Sequence, residues 1–127
     1  MNLPESDNIQ VLVKAQYVPE QSRPDQNQYV YAYTIELLNK GDNEAQLISR
    51  HWYIVDEKDQ QQEVQGLGVI GKQPVISPGK SYTYTSGVVL PTKSGTMSGS
   101  YTMKNCAGEE FETAIPTFAL VQPHALH

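Results

Sequence analysis

Residues 64–79 read Val-Gln-Gly-Leu-Gly-Val-Ile-Gly-Lys-Gln-Pro-Val-Ile-Ser-Pro-Gly and contain a complete G-x-G-x-x-G at Gly66, Gly68 and Gly71. Gly66, Gly71 and Lys72 also satisfy most of G-x-x-x-x-G-K-[ST], with Gln73 where the hydroxyl residue belongs. Both patterns bind nucleotide phosphate by the same device: glycines let backbone N–H groups close on an anion at the start of a helix. The surrounding residues withhold that helix. Pro74 and Pro78-Gly79 follow, and proline cannot continue a helical ladder. The region near Ser86 has no acid to hold a ribose. A dinucleotide fold and a helix-capped phosphate loop are therefore excluded. The run reads as a loop between strands, with glycine supplying positive φ or close packing. Within it, Gly66, Gly68, Gly71 and Lys72 are the candidate anion site, suited to a phosphate or pyrophosphate ligand.

The other reactive residue types assemble nothing comparable. His51 lies between Arg50 and Trp52, so strand alternation points it away from Trp52. If Trp52 is core, Arg50 shares its side and His51 faces out, with no local nucleophile or carboxylate to work with. His124 and His127 are three apart in a terminal tail, and two ligands make a weak metal site. Cys106, the only cysteine, has no C-x-x-C partner; it reads as an inert thiol in a turn. Asp56, Glu57, Asp59 and Glu63 cluster around Lys58 without the spacing of a calcium loop, and a solvated hairpin end fits them better. Residues 94–99 are Ser/Gly-rich but not G-x-S-x-G. No catalytic residue, metal ligand or cofactor is assigned, and the expectation is a protein that is not an enzyme.

Charge narrows the partners. The net charge is −5, which argues against nucleic-acid binding, where a basic footprint is expected. From Val64 to Gly108 there is no Asp or Glu, only Lys72, Lys80, Lys93 and Lys104. The glycine run thus sits in the one basic-leaning stretch. A single cysteine allows no intrachain disulfide. The first residues lack a basic start and an apolar run. No segment approaches the ~20 apolar residues that span a bilayer. A cytoplasmic protein without a membrane partner is expected.

The elements that must position these residues are strands. Ile9 to Tyr17, Tyr29 to Leu37, Tyr82 to Tyr84, Met97 to Met103 and Phe111 to Ile115 alternate with a period of two, as do Ile48, Trp52 and Ile54, with Arg50 interrupting. Pro, Gly, Asn and Asp clusters separate them, and no helical repeat appears. Short strands with no helices between them imply an all-β fold: an immunoglobulin or fibronectin type III-like antiparallel β-sandwich of about seven strands. Tyr101 is a candidate corner tyrosine. Phe111 and Ile115 are odd-numbered but Phe118 and Leu120 are even; with Pro116 between them, a bulge or bend is expected there. Residues 9–122 read as one domain, between a flexible segment 1–8 and a tail 123–127.

The chain resembles the bacterial ApaG family, also called CorD. The resemblance rests on Tyr29 to Thr34, Arg50-His51-Trp52, Glu63 to Gly71, Gln73-Pro74, Ser77-Pro78-Gly79 and Tyr84 to Gly87. It continues through Gly95 to Tyr101, Ile115-Pro116 and Leu126-His127. It implies a fibronectin type III-like sandwich and no established catalytic activity. Similar domains in eukaryotic F-box and polymerase-interacting proteins look like interaction modules. The family also implies an association with cobalt resistance and magnesium efflux, and a suggested pyrophosphate site at its glycines. Two functions are therefore expected in competition. One is a small non-enzymatic module with a protein partner, in which an edge strand could also make a homodimer. The other is a binder of pyrophosphate or nucleotide at residues 66–72, with or without a link to metal.

Overall fold

The structure is a computed structural model and describes residues 8–123. The expected segment 1–8 and tail 123–127, including His124 and His127, lie outside it except for Asn8 and Pro123. Eight strands follow in order: β1 (Ile9–Tyr17), β2 (Tyr29–Asn39), β3 (Ala45–Asp56), β4 (Gln61–Leu67), β5 (Val75–Ile76), β6 (Ser81–Leu90), β7 (Gly95–Asn105) and β8 (Glu110–Leu120). Seven are long and β5 has two residues. One sheet is ordered β1-β2-β6. The other is β4-β3-β7-β8, with β5 also pairing β3, and all pairs are antiparallel. This is the expected all-β sandwich.

Its core follows from alternation. In β2, Tyr29, Tyr31, Tyr33, Ile35 and Leu37 are buried, while each residue between them is half-buried. Opposite them, Trp52 meets Tyr33, Tyr101 and Phe118 edge-on, with ring centroids 5.3, 6.3 and 5.9 Å away. Such edge-to-face pairs add about 0.5–1.5 kcal/mol each beyond burial.

Two irregularities set which residues face in. The β7–β8 register shifts between Met97/Phe118 and Gly99/Ile115, placing the extra residue at Pro116–Thr117 as expected. Before it Thr113 and Ile115 face the core, and after it Leu120 does. The strand stays on β7 and does not change sheet. A second bulge, between Leu47 and Ser49 of β3, has no proline to announce it. It corrects the placing of Ile48 in one alternating row with Trp52 and Ile54: Leu47 is fully buried instead, and Ile48 occupies the bulge. The corner-tyrosine expectation is also corrected. The Tyr101 hydroxyl pairs with that of Tyr84 on the other sheet rather than with a backbone group. It is Tyr31 that reaches a carbonyl, donating to Lys93 O at 2.6 Å.

Candidate functional site

The glycine run ends β4 and turns back as a tight hairpin. Val69 N–H donates to Lys72 O at 2.8 Å, and Lys72 N–H returns to Val69 O at 3.0 Å. Ile70 (φ +49°) and Gly71 (φ +74°) form the two-residue turn, both left-handed as a type I′ turn requires. Gly68 has φ +63°, and a Cβ there would fall 2.3 Å from Lys72 O. Only glycine fits that close approach. Gly66 lies in the β3–β4 ladder opposite Arg50, whose guanidinium crosses over it; a Cβ would come within 2.8 Å of Nη1.

The hairpin is tied to β3 through the second bulge. Ile48 sits outside the β3–β7 register, and its carbonyl accepts from Gly68 N–H at 2.7 Å and from Gln73 Nε2 at 2.9 Å. Gln73, the departure from the phosphate-loop pattern, thus has a structural task. Leu47 N–H donates to Pro74 O at 2.9 Å, and Gln46 Nε2 to Gln73 O at 3.1 Å. Arg50 Nη1 donates to Leu67 O and Gly68 O at 3.1 and 2.8 Å.

The four candidate residues Gly66, Gly68, Gly71 and Lys72 are therefore brought together in one hairpin. Its chemistry differs from that of a phosphate cradle. The amides of Gly68, Val69 and Lys72 already have backbone acceptors. What faces an incoming anion is side-chain charge, from exposed Lys72 and half-buried Arg50. What the hairpin mainly displays is apolar. Val69 is a buried anchor, whereas Leu67, Ile70 and Val75 are 75, 60 and 52% exposed. Three such side chains within nine residues make up the apolar lip of this hairpin and β5.

On the outer face of β3, His51 points away from the core as alternation requires. It has a partner that the sequence reading missed: Nε2 lies 2.6 Å from Glu63 Oε2, and Gln65 Nε2 donates to the same carboxylate at 3.0 Å. Glu63 is twelve positions away in sequence but diagonal to His51 in the β3–β4 register, where Gln65 is the direct partner of His51 and Glu63 that of Tyr53. Among the described residues, no hydroxyl or thiol hydrogen-bonds to His51, and no three His, Cys, Asp or Glu side chains converge as metal ligands. The acidic cluster closes a hairpin as expected, with Asp56 Oδ1 accepting from the amides of Lys58 and Gln60. Cys106 is exposed in a turn. Burial raises the Tyr84 and Tyr101 hydroxyls above the usual phenol range and pushes Tyr31 up to about 12. These are neutral packing groups.

A family model described as the ApaG domain matches residues 19–105. Protein ApaG of Methylobacterium sp. (strain 4-46) is 53% identical over 120 residues, covering 94% of this chain and 92% of that protein. Protein ApaG of Pseudomonas aeruginosa (strain LESB58) is 51% identical over 119 residues, covering 94% of each. A crystal structure described as an ApaA protein from Bordetella pertussis superposes with a TM-score of 0.88 at 50% identity, covering 91% of this chain and 94% of that one.

Proposed function

The chain belongs to the ApaG domain family, and on that premise we propose that it is a small non-enzymatic protein-interaction module. The observation that carries this reading is the apolar lip. The glycine hairpin commits the amides of Gly68, Val69 and Lys72 to itself and to β3, and holds Leu67, Ile70 and Val75 out toward solvent. Exposed apolar side chains grouped at one place mark contact surfaces. The family association with cobalt resistance and magnesium efflux would then act through a partner, and a cytoplasmic location belongs to the same reading. The test is affinity capture with the wild-type chain and with Leu67→Asp/Val75→Asp. Both side chains are exposed, so the variant keeps its fold. A stoichiometric partner held by the wild type and lost by the variant supports the proposal. Equal capture by both counts against it.

A second reading is binding of a pyrophosphate or nucleotide at the hairpin. It draws on Lys72 and Arg50, two cations beside Gly66–Gly71 in a segment without acids. Calorimetry with pyrophosphate and ATP, with and without Mg²⁺ or Co²⁺, tests it. Saturable heat that disappears in Lys72→Ala supports this reading, and no heat at millimolar ligand removes it.

A further inference from the structure

The two main sheets are unequal: three strands face four long ones and the two-residue β5. Strand β4 overhangs its neighbours, and its inward row of Gln62, Val64 and Gly66 has no strand across from it among the described residues. Val64 is consequently 39% exposed, although it pairs with buried Trp52. Between β4 and the free edge of β6 lies a groove of about 290 Å³, lined by Val64, Ser86, Val88 and Val89, with Arg50 and Trp52 among its deeper residues. Three features of this groove point to one kind of occupant.

The first is the edge itself. β1, β4 and β8 carry Lys14, Glu63, and Glu110, Glu112 and Pro116, the charges and proline that blunt sheet edges against pairing. The ten residues of β6 contain no charge and no proline. Nothing in the strand opposes addition of another strand along it. The second feature is Arg50. It is half-buried and donates Nη1 to two carbonyls, but no carboxylate pairs with it among the described residues. A partly buried guanidinium favours a carboxylate, which it can grip with two parallel hydrogen bonds. The third is Trp52, whose buried indole N–H has no acceptor among the described residues, so an occupant rich in oxygen acceptors suits the groove better than hydrocarbon.

We infer that the groove accepts an extended segment of a partner protein, laid antiparallel or parallel along β6 as the missing fourth strand. Its inward side chains, two residues apart, are an apolar one on Val64 and Val88 and an Asp or Glu on Arg50. A second copy of β6 would not serve, because it has no acid to offer Arg50. An acidic segment also matches the acid-free stretch from Val64 to Gly108 in a chain of net charge −5. The inference rests on the interaction reading but on a different surface from the lip, so the two fail separately.

The experiment selects linear decapeptides from a displayed random library against the wild-type chain, then measures the winners on Val64→Lys, on Arg50→Lys and on Leu67→Asp/Val75→Asp. Selected peptides are expected to alternate β-branched residues with one Asp or Glu. Replacing that acid by Gln should weaken binding at least tenfold, as should N-methylation of alternate peptide amides. Val64→Lys should abolish binding, while Arg50→Lys, which keeps charge but loses the fork, should weaken it several-fold. Leu67→Asp/Val75→Asp should leave it unchanged. Amide shifts should fall on β6 and not on β1 or β8. No enrichment over the naive library would overturn the inference. So would winners without an acid, equal binding to Val64→Lys, or β6 shifts that grow with protein concentration in the absence of peptide, the mark of a second copy in the groove. Loss of binding in the lip variant alone would return the site to the lip.

Discussion

Alanine substitution at the three glycines distinguishes a structural hairpin from an anion cradle, because the hairpin predicts a ranking. At Gly68 the φ of +63° is retained only at a penalty of about 1–2 kcal/mol for an L side chain. A Cβ there would also lie 2.3 Å from the backbone oxygen of Lys72, which cannot rotate away. The Val69–Lys72 pair must open, losing two backbone hydrogen bonds of about 0.5–1.5 kcal/mol each. Gly68→Ala should therefore destabilise the fold by about 2–5 kcal/mol. At Gly71, with φ +74° and no atom within 4 Å of the added Cβ, only the backbone penalty applies, about 1–2 kcal/mol. At Gly66 the obstacle is the flexible end of Arg50, which can move if it releases Leu67 O and Gly68 O. A loss of about 1.5–3 kcal/mol follows, the range for hydrogen bonds to a charged group. Urea unfolding monitored by Trp52 fluorescence and circular dichroism measures all three. The order Gly68, then Gly66, then Gly71 is expected. A Gly68→Ala variant as stable as the wild type, or a Gly71→Ala variant as damaged as Gly68→Ala, would refute the argument.

Three further outcomes follow from the same packing. Gly99→Ala should cost about 4 kcal/mol or more and yield little folded protein, because the added Cβ would meet His51 O at 1.9 Å and Trp52 Cα at 3.1 Å, all of it backbone; soluble expression and a melting scan check this. Tyr84→Phe leaves the buried Tyr101 hydroxyl without its partner, a loss of about 1–3 kcal/mol, whereas Tyr84→Phe/Tyr101→Phe should recover most of it; denaturation of the three proteins measures the difference. In alkali, the Tyr31 hydroxyl is held up to about 12 by burial, aided by Tyr17 and Glu57, against about 10 in the unfolded chain. Its contribution is complete below pH ~10 and drains away as pH rises toward 12. Absorbance titration should find some of the eight tyrosines ionising only as the chain unfolds, and reversible ionisation of all eight near pH 10 in the folded protein would contradict it.

What could be read from the residues alone depended on locality. The alternating rows of β2 and β7, the hairpin at Asp56–Gln60 and the bulge at Pro116 are written in consecutive residues. β4 is not: as an overhanging edge strand it is exposed along nearly its whole length and shows no alternation. The bulge at Ile48 is equally silent, since it exists to turn one carbonyl toward Gly68 and Gln73, twenty or more positions away. The His51–Glu63 pair and the passage of Arg50 over Gly66 both need the β3–β4 register, which no local pattern specifies. The glycine run is the instructive case. Its spacing is that of a phosphate loop, yet Ile70-Gly71 is a hairpin turn, and the prolines after it were the local sign that no helix would follow.

The central claim is that this hairpin presents an apolar lip to a protein partner. Its most direct test places a photo-crosslinking amino acid at Ile70, which is 60% exposed, and in a control chain at exposed Gln10 on β1. Irradiation in living cells should give one discrete adduct at position 70 and none at position 10. The same diffuse pattern from both positions would contradict the claim.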